Sequence, residues 1–343
     1  MTGSYPPVTV PERQVPIPAT LSESARAVTA MGSRLTPEPW PPLDDREAVR
    51  AFIAERDGLI PPGGAGPMVA SCYGSADTGV HCETERIELD DVGVYQAVPD
   101  GVTEDDRRVH LVIHGAWISG GGEMARAGAV MTAGALGART WAVDYRMPPF
   151  HPFPTPLDDC LTAYRALLRD HRPEDIIIGG MSGGANLTVA TILRARDEGL
   201  PLPAAAVVNT PPIDLTKAGD THHTSHGIDI SYDADELETV FQLYTDGHDR
   251  TDPYVSPIFA DFGKGFPPTV LTTGTRDFLL SDTVRLHRRL LAAGVPAELH
   301  VWEGAPHFMF LGMAPEDHER AAQVRDFCER QWAGAEAGRK VAQ

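Results

Sequence analysis

The sequence predicts an α/β fold with a mostly parallel central sheet, helices on both faces and a helical cap. From residue 109 onward, short apolar runs alternate with helical patterns, which is typical of a parallel sheet covered on both sides. Residues 210–266 interrupt this alternation, because the interval is too long for a single crossover between neighbouring strands. We therefore expect an insertion at the carboxyl edge of the sheet.

Eight strands are predicted from runs of apolar and β-branched residues. The first two are joined by a turn at Asp90-Asp91 and form an antiparallel start to the sheet. The predicted strands are residues 85–89, 92–98, 109–113, 140–143, 176–178, 204–208, 269–272 and 298–302.

Capping signals place the helices that precede the sheet. Thr20 and Glu23 have the spacing of a capping box, and Asp44 or Asp45 caps a second helix that Gly58 ends. Further helices are expected near residues 235–244 and over 315–332. The chain then divides into amino-terminal cap helices and a linker (1–79), a core (80–209 and 267–343) and a cap insertion (210–266).

Charge and cysteine content limit the partners and the compartment. The 29 Lys and Arg against 48 Asp and Glu give a net charge of −19, so phosphate backbones and anionic lipid surfaces repel the chain. Neither a nucleic acid nor a membrane is an expected partner. The four cysteines form no CxxC pair, and the amino terminus lacks the basic start and apolar core of a signal peptide, which predicts a cytoplasmic setting. Local pairing of Cys72 with Cys82 is the alternative.

The most specific motif is Gly180-Met-Ser182-Gly-Gly184, which lies between an apolar strand and a helix. In a G-x-S-x-G motif the serine sits on a strained turn with its hydroxyl exposed, and the glycines avoid collisions with the neighbouring strand and helix. The motif predicts Ser182 as a nucleophile. An ordinary serine in a glycine-rich turn is the alternative, and the strand–turn–helix context argues against it.

A serine nucleophile needs a histidine to take its proton and a carboxylate to hold that histidine. Asp277 directly follows a later strand and is predicted as the acid. His307 follows the last strand and is predicted as the base, whereas His300 lies within that strand and His318 on the final helix. Asp282 is instead expected to cap the helix after the acid.

Backbone N–H groups must stabilise the oxyanion that forms when a carbonyl carbon is attacked. The loop His114-Gly115-Ala116-Trp117 follows the first parallel strand, and Gly183 follows the nucleophile. We expect one donor from Gly183 and one or two from Gly115, Ala116 and Trp117.

Together these motifs resemble the hormone-sensitive-lipase family of α/β-hydrolases, in its bacterial carboxylesterase branch, from about Val15 to the end of the chain. Residues 144–154 are similar to the tyrosine–arginine segment of that family, and residues 252–257 match a second family segment after the insertion. The resemblance implies the α/β-hydrolase fold and a catalytic triad at Ser182, Asp277 and His307.

Three departures from the family pattern lie near the predicted site. Trp117 stands where the family has the last glycine of His-Gly-Gly-Gly, unless the loop is one residue shorter. Phe150 replaces a glutamate that steadies this loop in the family, and Met181 replaces the aspartate before the nucleophile. Because Trp117 and Phe150 are large and apolar, we expect a reshaped acyl pocket that prefers short acyl chains or a flat, rigid substrate.

Two clusters carry weaker signals. His222, His223 and His226 lie on the insertion without a Cys or carboxylate at ligand spacing, so we expect a solvated loop, no metal and no cofactor. Four phenylalanines flank the predicted catalytic segments and either line the substrate site or pack in the core. They are Phe153, Phe278, Phe308 and Phe310, of which Phe278 and Phe308 join Phe150 as predicted pocket residues.

The sequence predicts a serine carboxylesterase that hydrolyses small or medium-sized carboxylic esters through an acyl-enzyme intermediate. An acyltransferase or a lactone hydrolase on the same triad is the alternative within serine chemistry. A non-catalytic receptor, like the plant gibberellin receptors that resemble this family, is disfavoured because all three triad residues are present. A homodimer is one assembly that the sequence allows.

Overall fold

The computed structural model describes Glu12 and residues 14–31, 38–58, 78–231 and 234–342. Within these ranges the strands, numbered β1 to β8 along the chain, are Cys82–Leu89, Val92–Pro99, Val109–Ile113, Arg139–Asp144, Ile176–Met181, Ala205–Asn209, Thr269–Gly274 and Ala297–Trp302. They form one sheet in the order β1-β2-β4-β3-β5-β6-β7-β8. The pairs β1–β2 and β2–β4 are antiparallel and all the others are parallel, which confirms the predicted sheet.

Helices flank the sheet on both faces. In the same ranges, α1 to α9 are Glu23–Ala30, Arg46–Gly58, Glu123–Leu136, Thr155–Asp170, Gly183–Asp197, Thr221–Thr224, Ala234–Thr245, Leu280–Ala292 and Pro315–Ala342. Short 3₁₀ helices span Pro173–Asp175, Pro257–Phe259 and Phe262–Lys264.

Alternating side chains along β3 face two different cores. Val109, Leu111 and Ile113 belong to the larger core, which also contains residues of α4, α5 and α8. Val112 points to the opposite face, where it packs against α3, and α9 covers that face further along the sheet. Strands β3, β5, β6 and β7 are therefore buried over their whole length, as parallel strands between two helical layers are.

The amino-terminal helices begin at side-chain caps. Asp45 caps α2, since its Oδ1 accepts the N–H of Ala48 at 3.0 Å, and the helix ends at Gly58 as predicted. The predicted cap of α1 is wrong. Ser22 caps α1 by accepting the N–H of Ala25 at 3.2 Å, while the hydroxyl of Thr20 donates to Glu303 at 2.6 Å.

The predicted role of Asp282 as a helix cap is also wrong. Helix α8 follows Leu279 at its N-cap, without a side-chain hydrogen bond there, and Asp282 lies in its first turn. The buried carboxylate of Asp282 instead accepts the N–H groups of Ile213 at 3.1 Å and Asp214 at 3.2 Å. It thus joins α8 to the loop after β6.

The segment between β6 and β7 carries α6, α7 and two of the 3₁₀ helices. Asn186 on α5 holds both ends of this segment, because its Nδ2 donates to the carbonyl oxygens of Pro212 at 2.9 Å and Val255 at 3.0 Å. The division into domain ranges stays a prediction. Cys72, one half of the alternative cysteine pair, lies outside the described residues.

Candidate active site

Ser182 stands on a sharp turn between β5 and α5. Its backbone has φ 53° and ψ −126°, a left-handed conformation that a residue with a side chain rarely adopts. The N–H of Ser182 donates to the carbonyl oxygen of Asn209 at 2.9 Å, which fixes the turn against the end of β6. The side chain is thereby presented at the carboxyl edge of the sheet.

The glycines of the motif are required by close backbone contacts. A Cβ on Gly180 would lie 2.5 Å from the backbone of Gly184 and 2.7 Å from the carbonyl oxygen of Ile113. A Cβ on Gly184 would lie 2.0 Å from that same oxygen. Since such contacts are far shorter than van der Waals distances, β3, β5 and α5 can meet in this way only with glycine.

Of the three residues predicted as a triad, His307 lies within hydrogen-bonding distance of both Ser182 and Asp277. Nε2 of His307 is 2.9 Å from Oγ of Ser182, and Nδ1 of His307 is 3.1 Å from Oδ1 of Asp277. Asp277 is fully buried and His307 is 3% exposed, so water screens their interaction weakly. The serine comes from the end of β5, the aspartate from the loop after β7 and the histidine from the loop after β8.

Asp277 is held in place by donors from its own segment. Its Oδ2 accepts the hydroxyl of Thr273 at 2.7 Å, and its Oδ1 accepts the N–H of Leu279 at 2.9 Å. With the imidazole of His307 as a third partner, the carboxylate is orientated as an acceptor. This arrangement favours the tautomer of His307 that carries its proton on Nδ1 and leaves Nε2 free to accept one.

The loop after β3 passes close to Ser182. Gly115 lies so close that a Cβ there would be 3.0 Å from the carbonyl oxygen of Met181 and 3.5 Å from Cβ of Ser182. Positive φ angles at Ala116 (65°) and Trp117 (57°) turn the loop, and the N–H of Ile118 donates to the carbonyl oxygen of Ala116 at 2.7 Å.

The backbone nitrogen of Ala116 lies next to Gly183. The nitrogen of Ala116 would be 3.1 Å from a Cβ on Gly183. The N–H of Gly183 is the first of α5 and, like every N–H in a first helical turn, has no acceptor within its helix. That Ala116 and Gly183 supply oxyanion donors stays a prediction, which this proximity supports.

Tyr145 and His114 support this loop from below. The buried hydroxyl of Tyr145 donates to the carbonyl oxygens of His114 at 3.1 Å and Gly115 at 3.2 Å, and its ring stacks on the His114 imidazole at 3.9 Å. Burial lowers the pKa of His114 to about 4, so this imidazole stays neutral. The sequence indicates Tyr145 only as part of a family segment, because its contact with the loop depends on tertiary structure.

A cavity of about 80 Å³ opens at Ser182. Its lining is mostly apolar or backbone, and it is formed by His114, Gly115, Ala116, Ser119, Gly120, Met124, Ser182 and Phe308. An apolar cavity of about 150 Å³ holds a benzene ring. The cavity beside Ser182 therefore fits an acyl group of only a few carbon atoms.

Comparisons with known proteins agree on one family. A family model described as alpha/beta hydrolase fold matches residues 110–311. A solved structure of esterase E25 is 33% identical with a TM-score of 0.79, and the match covers 94% of this chain and 98% of that one. A solved esterase from the bacterial hormone-sensitive lipase family is 30% identical with a TM-score of 0.75, and the match covers 91% of this chain and 99% of that one. The chain belongs to the hormone-sensitive-lipase-like family of α/β-hydrolases.

Curated relatives match a shorter part of this α/β-hydrolase. An acetyl-hydrolase of Streptomyces hygroscopicus is 35% identical over 199 residues, which are 57% of this chain and 66% of the relative. For two further esterases the matched share of the relative is 62% and 52%. In the part of the chain that the structure describes, no helix is both long and apolar enough to cross a bilayer.

Two large apolar residues predicted to shape the α/β-hydrolase site, Trp117 and Phe150, have different surroundings. The Trp117 indole, 2% exposed, stacks on Tyr244 of α7 at 4.6 Å and meets Phe241 edge-on at 5.8 Å, so it packs in the core. Phe150 is 41% exposed and lines a separate groove beside α2. Neither side chain lines the cavity at Ser182. The indole of Trp117 packs against α7 instead, and the ring of Phe150 lies at the surface.

The other phenylalanines divide between the site and the core. Phe308 lines the cavity at Ser182, with its ring centre 4.9 Å from that of His307. Phe278 packs against the same imidazole at 4.7 Å without lining the cavity. Phe153 and Phe310 are buried in core clusters away from the cavity.

The three histidines of the insertion do not form one solvated group. His223 and His226 are exposed as expected, but His222 is 4% exposed and its Nε2 lies 3.6 Å from Oδ1 of Asp282. Burial under α8 explains why the prediction of a solvated loop is wrong for His222. Among the described residues, no group of three His, Cys, Asp or Glu side chains could hold a metal ion.

Asp229 is a polar residue of the site region that the sequence did not indicate. It lies on the insertion between α6 and α7 and is fully buried against the loops that carry Asp277 and His307. No motif surrounds it, and an Asp in a loop is usually a turn residue. Only the packed structure reveals its contacts.

Proposed function

We propose that this α/β-hydrolase is a serine carboxylesterase in which Ser182, His307 and Asp277 act as nucleophile, base and orienting acid. The observation that carries the proposal is the chain of short distances from Oγ of Ser182 through both imidazole nitrogens to Asp277. The printed names of the relatives, acetyl-hydrolase and esterase, support hydrolysis of an ester bond.

The reaction follows from these positions. Nε2 of His307 takes the proton of the Ser182 hydroxyl while Oγ bonds to the ester carbonyl carbon, and the carbonyl electron pair moves to the oxygen. The N–H groups of Ala116 and Gly183, with Gly115 beside them, would stabilise that oxyanion. Its collapse expels the alcohol, which receives the proton from His307, and leaves an acyl-serine. Water activated by the same imidazole then releases the acid and restores Ser182.

The decisive test is Ser182→Ala. The variant should fold normally and lose several powers of ten in turnover of a p-nitrophenyl ester, because the nucleophile is absent. It should also fail to react with an organophosphate that labels the wild type. Ser119→Ala is the matched control, since Ser119 lines the same cavity but takes no part in the proposed mechanism. The organophosphate should still label the Ser119→Ala variant. More than about a tenth of wild-type activity in Ser182→Ala would refute the assignment.

The cavity supports short acyl esters as the substrate class. Met124 forms part of the lining, so Met124→Ala should enlarge the cavity and admit a longer acyl chain. We expect the ratio of kcat/KM for hexanoate over acetate esters to rise about fivefold, the scale of a few pocket methylenes. An unchanged ratio in a folded variant would mean that the acyl chain lies outside this cavity.

The proposed location is the cytoplasm. The three cysteines of the described residues, Cys82, Cys160 and Cys328, are thiols, and two of them are buried. Fractionation of the source cells tests this proposal, and activity recovered only outside the cytoplasm would contradict it. The homodimer stays a prediction, which sedimentation equilibrium can decide.

A further inference from the structure

Asp229 connects the two loops that carry the proposed acid and base. Its Oδ2 accepts the backbone N–H of His307 at 2.9 Å and the backbone N–H of Phe278 at 3.2 Å. Phe278 directly follows Asp277 in the chain. One carboxylate oxygen of the insertion therefore fixes the main chain at the base itself and at the residue next to the acid.

The second oxygen of Asp229 is satisfied by its own loop. Oδ1 accepts the N–H of Ser231 at 2.9 Å and the hydroxyl of Ser231 at 2.7 Å. The carboxylate thus receives four hydrogen bonds, which match its four lone-pair sites when it is ionised. Such saturation favours the charge, although burial and the nearby Asp277 raise the pKa of Asp229.

The position of this charge matters for the reaction. His307 becomes an imidazolium when it takes the serine proton, and a second buried negative charge near Asp277 stabilises that cation. Attraction between the two residues acts in both directions, and His307 accordingly lowers the pKa of Asp229. The backbone contacts also limit movement of the imidazole relative to Asp277, a distance on which proton transfer depends.

We propose that Asp229 is a positioning residue for the triad: it fixes the loop that carries Asp277 relative to the loop that carries His307, and it adds negative charge beside His307. The inference rests on the proposed function, because it assigns Asp229 a role through the base and acid named there. Asp229 touches no reacting atom, and it reaches the reaction only through His307 and Asp277.

Other charged groups around His307 are further away or at the surface. Asp277 and Asp229 face it directly, while His222 and Asp282 lie beyond the ring of Phe278. Arg276 and Glu303 make their hydrogen bonds at the protein surface. A shift of the acid limb after a change at Asp229 would therefore report on Asp229.

The test is Asp229→Asn, measured as kcat and KM for a short p-nitrophenyl ester between pH 5 and 9. The variant keeps the size of the side chain, removes its charge and replaces one of the two acceptor oxygens by an NH2 donor. We expect kcat to fall by about a hundredfold, the cost of a misplacement of about 1 Å, while KM changes little. The acid limb of the kcat/KM profile should move to lower pH, because the imidazolium loses a negative neighbour.

Asp282→Asn is the matched control. Asp282 is equally buried, and its Oδ2, like that of Asp229, accepts two backbone N–H groups, here those of Ile213 and Asp214, but no hydrogen bond joins it to the acid or base loop. Its replacement should lower the melting temperature without moving the acid limb. An unmoved limb together with unchanged kcat in Asp229→Asn, or an equal shift in Asp282→Asn, would overturn the proposal.

A second variant covers the case in which Asp229→Asn does not fold. Ser231→Ala keeps the carboxylate of Asp229 and removes one of its four hydrogen bonds, at a partly exposed position. It should lower kcat several-fold with KM unchanged, and unchanged kcat would overturn the proposal. Ser182→Ala is measured alongside: a wild type no more active than Ser182→Ala would disprove the proposed function, whatever Asp229 does.

Discussion

Close contacts with single backbone atoms constrain the turn that carries Ser182. Gly184 opens α5 directly under the end of β3, where the carbonyl oxygens of Ile113 and His114 would lie 2.0 Å and 2.5 Å from a Cβ. Neither oxygen can move away, since β3 is hydrogen-bonded to strands on both sides and the carbonyl oxygen of His114 accepts the hydroxyl of Tyr145. The turn that presents the side chain of Ser182 therefore requires glycine at positions 180 and 184.

Gly184→Ala should therefore be far more damaging than alanine normally is in a helix. We expect a variant that folds poorly or has lost several kcal/mol of unfolding free energy, together with its esterase activity. Gly334→Ala is the matched control, because Gly334 also lies in a helix, α9, and a Cβ there meets nothing within 4 Å. That replacement should raise stability by about 0.5–1 kcal/mol, the usual gain from glycine to alanine in a helix. Equal thermal melts for the two variants would contradict the steric argument.

The residues proposed as the triad could be predicted because their chemistry ties them to strand ends. Serine, aspartate and histidine each follow a recognisable apolar strand, and parallel strands bring those ends to one edge of the sheet. Asp229 could not be predicted in this way, since it binds backbone N–H groups that any residue type would supply. The direction of Trp117 likewise depends on α7, which is distant in sequence.

At the scale of elements, a local capping signal locates a helix but can miss its cap by one or two residues. Asp45 caps α2 as its position suggests, whereas Thr20 is drawn to Glu303 near the other end of the chain and leaves the cap of α1 to Ser22. Strand periodicity is more robust, because one face of each strand must meet a helix layer whatever the loops do. All eight strands were therefore predictable, although their exact ends were not.

Helix α2 places a carboxyl group beside the segment that follows β3. Asp57 near its end accepts the N–H of Gly120, and burial raises the pKa of Asp57 from 3.8 to about 6. An acid with a raised pKa in the folded state disfavours folding once it ionises, so stability is lost as the pH rises from about 4 through about 6. Asp57→Asn keeps an acceptor oxygen and removes the charge. Its melting temperature should exceed that of the wild type at pH 8 and equal it at pH 4, and a difference independent of pH would contradict this origin.

Contacts with helix α7 make Trp117 a core residue. Because the indole is buried against Tyr244 and Phe241, Trp117→Ala should cost about 3–5 kcal/mol of unfolding free energy, as large buried aromatic truncations do. The preference for short over long acyl esters should stay the same. Phe308→Ala provides the contrast, since this partly exposed ring lines the cavity: it should change the acyl preference at little cost in stability. A rise of fivefold or more in the ratio of kcat/KM for long over short acyl esters in Trp117→Ala would show that the indole does limit the acyl site. Such a rise corresponds to about 1 kcal/mol, the scale of a change in a substrate pocket.

At the scale of the whole molecule, the insertion is attached to the core by polar contacts at its ends and by both polar and apolar contacts at its middle. Asn186 binds the carbonyl oxygens at both ends, Asp282 binds the loop after β6, and Trp117 stacks on α7. Through Asp229 the same insertion reaches the acid and base loops. Release of the insertion would therefore disturb the site even though the proposed triad lies in the core segments.

Asn186 is the residue through which this attachment can be tested. Asn186→Leu removes the donor of two buried hydrogen bonds and leaves the carbonyl oxygens of Pro212 and Val255 unsatisfied, at a cost of about 1–3 kcal/mol for each. We expect a lower melting temperature and faster proteolytic cleavage within residues 210–266 than elsewhere, because the insertion opens before the core unfolds. Thr188→Val on the same helix is the control, since Thr188 is equally buried and its hydroxyl bonds only within α5, to the carbonyl oxygen of Gly184. If both variants are cut at the same sites and rates as the wild type, Asn186 does not attach the insertion, and the coupling from insertion to site must run through Asp229 and Trp117 alone.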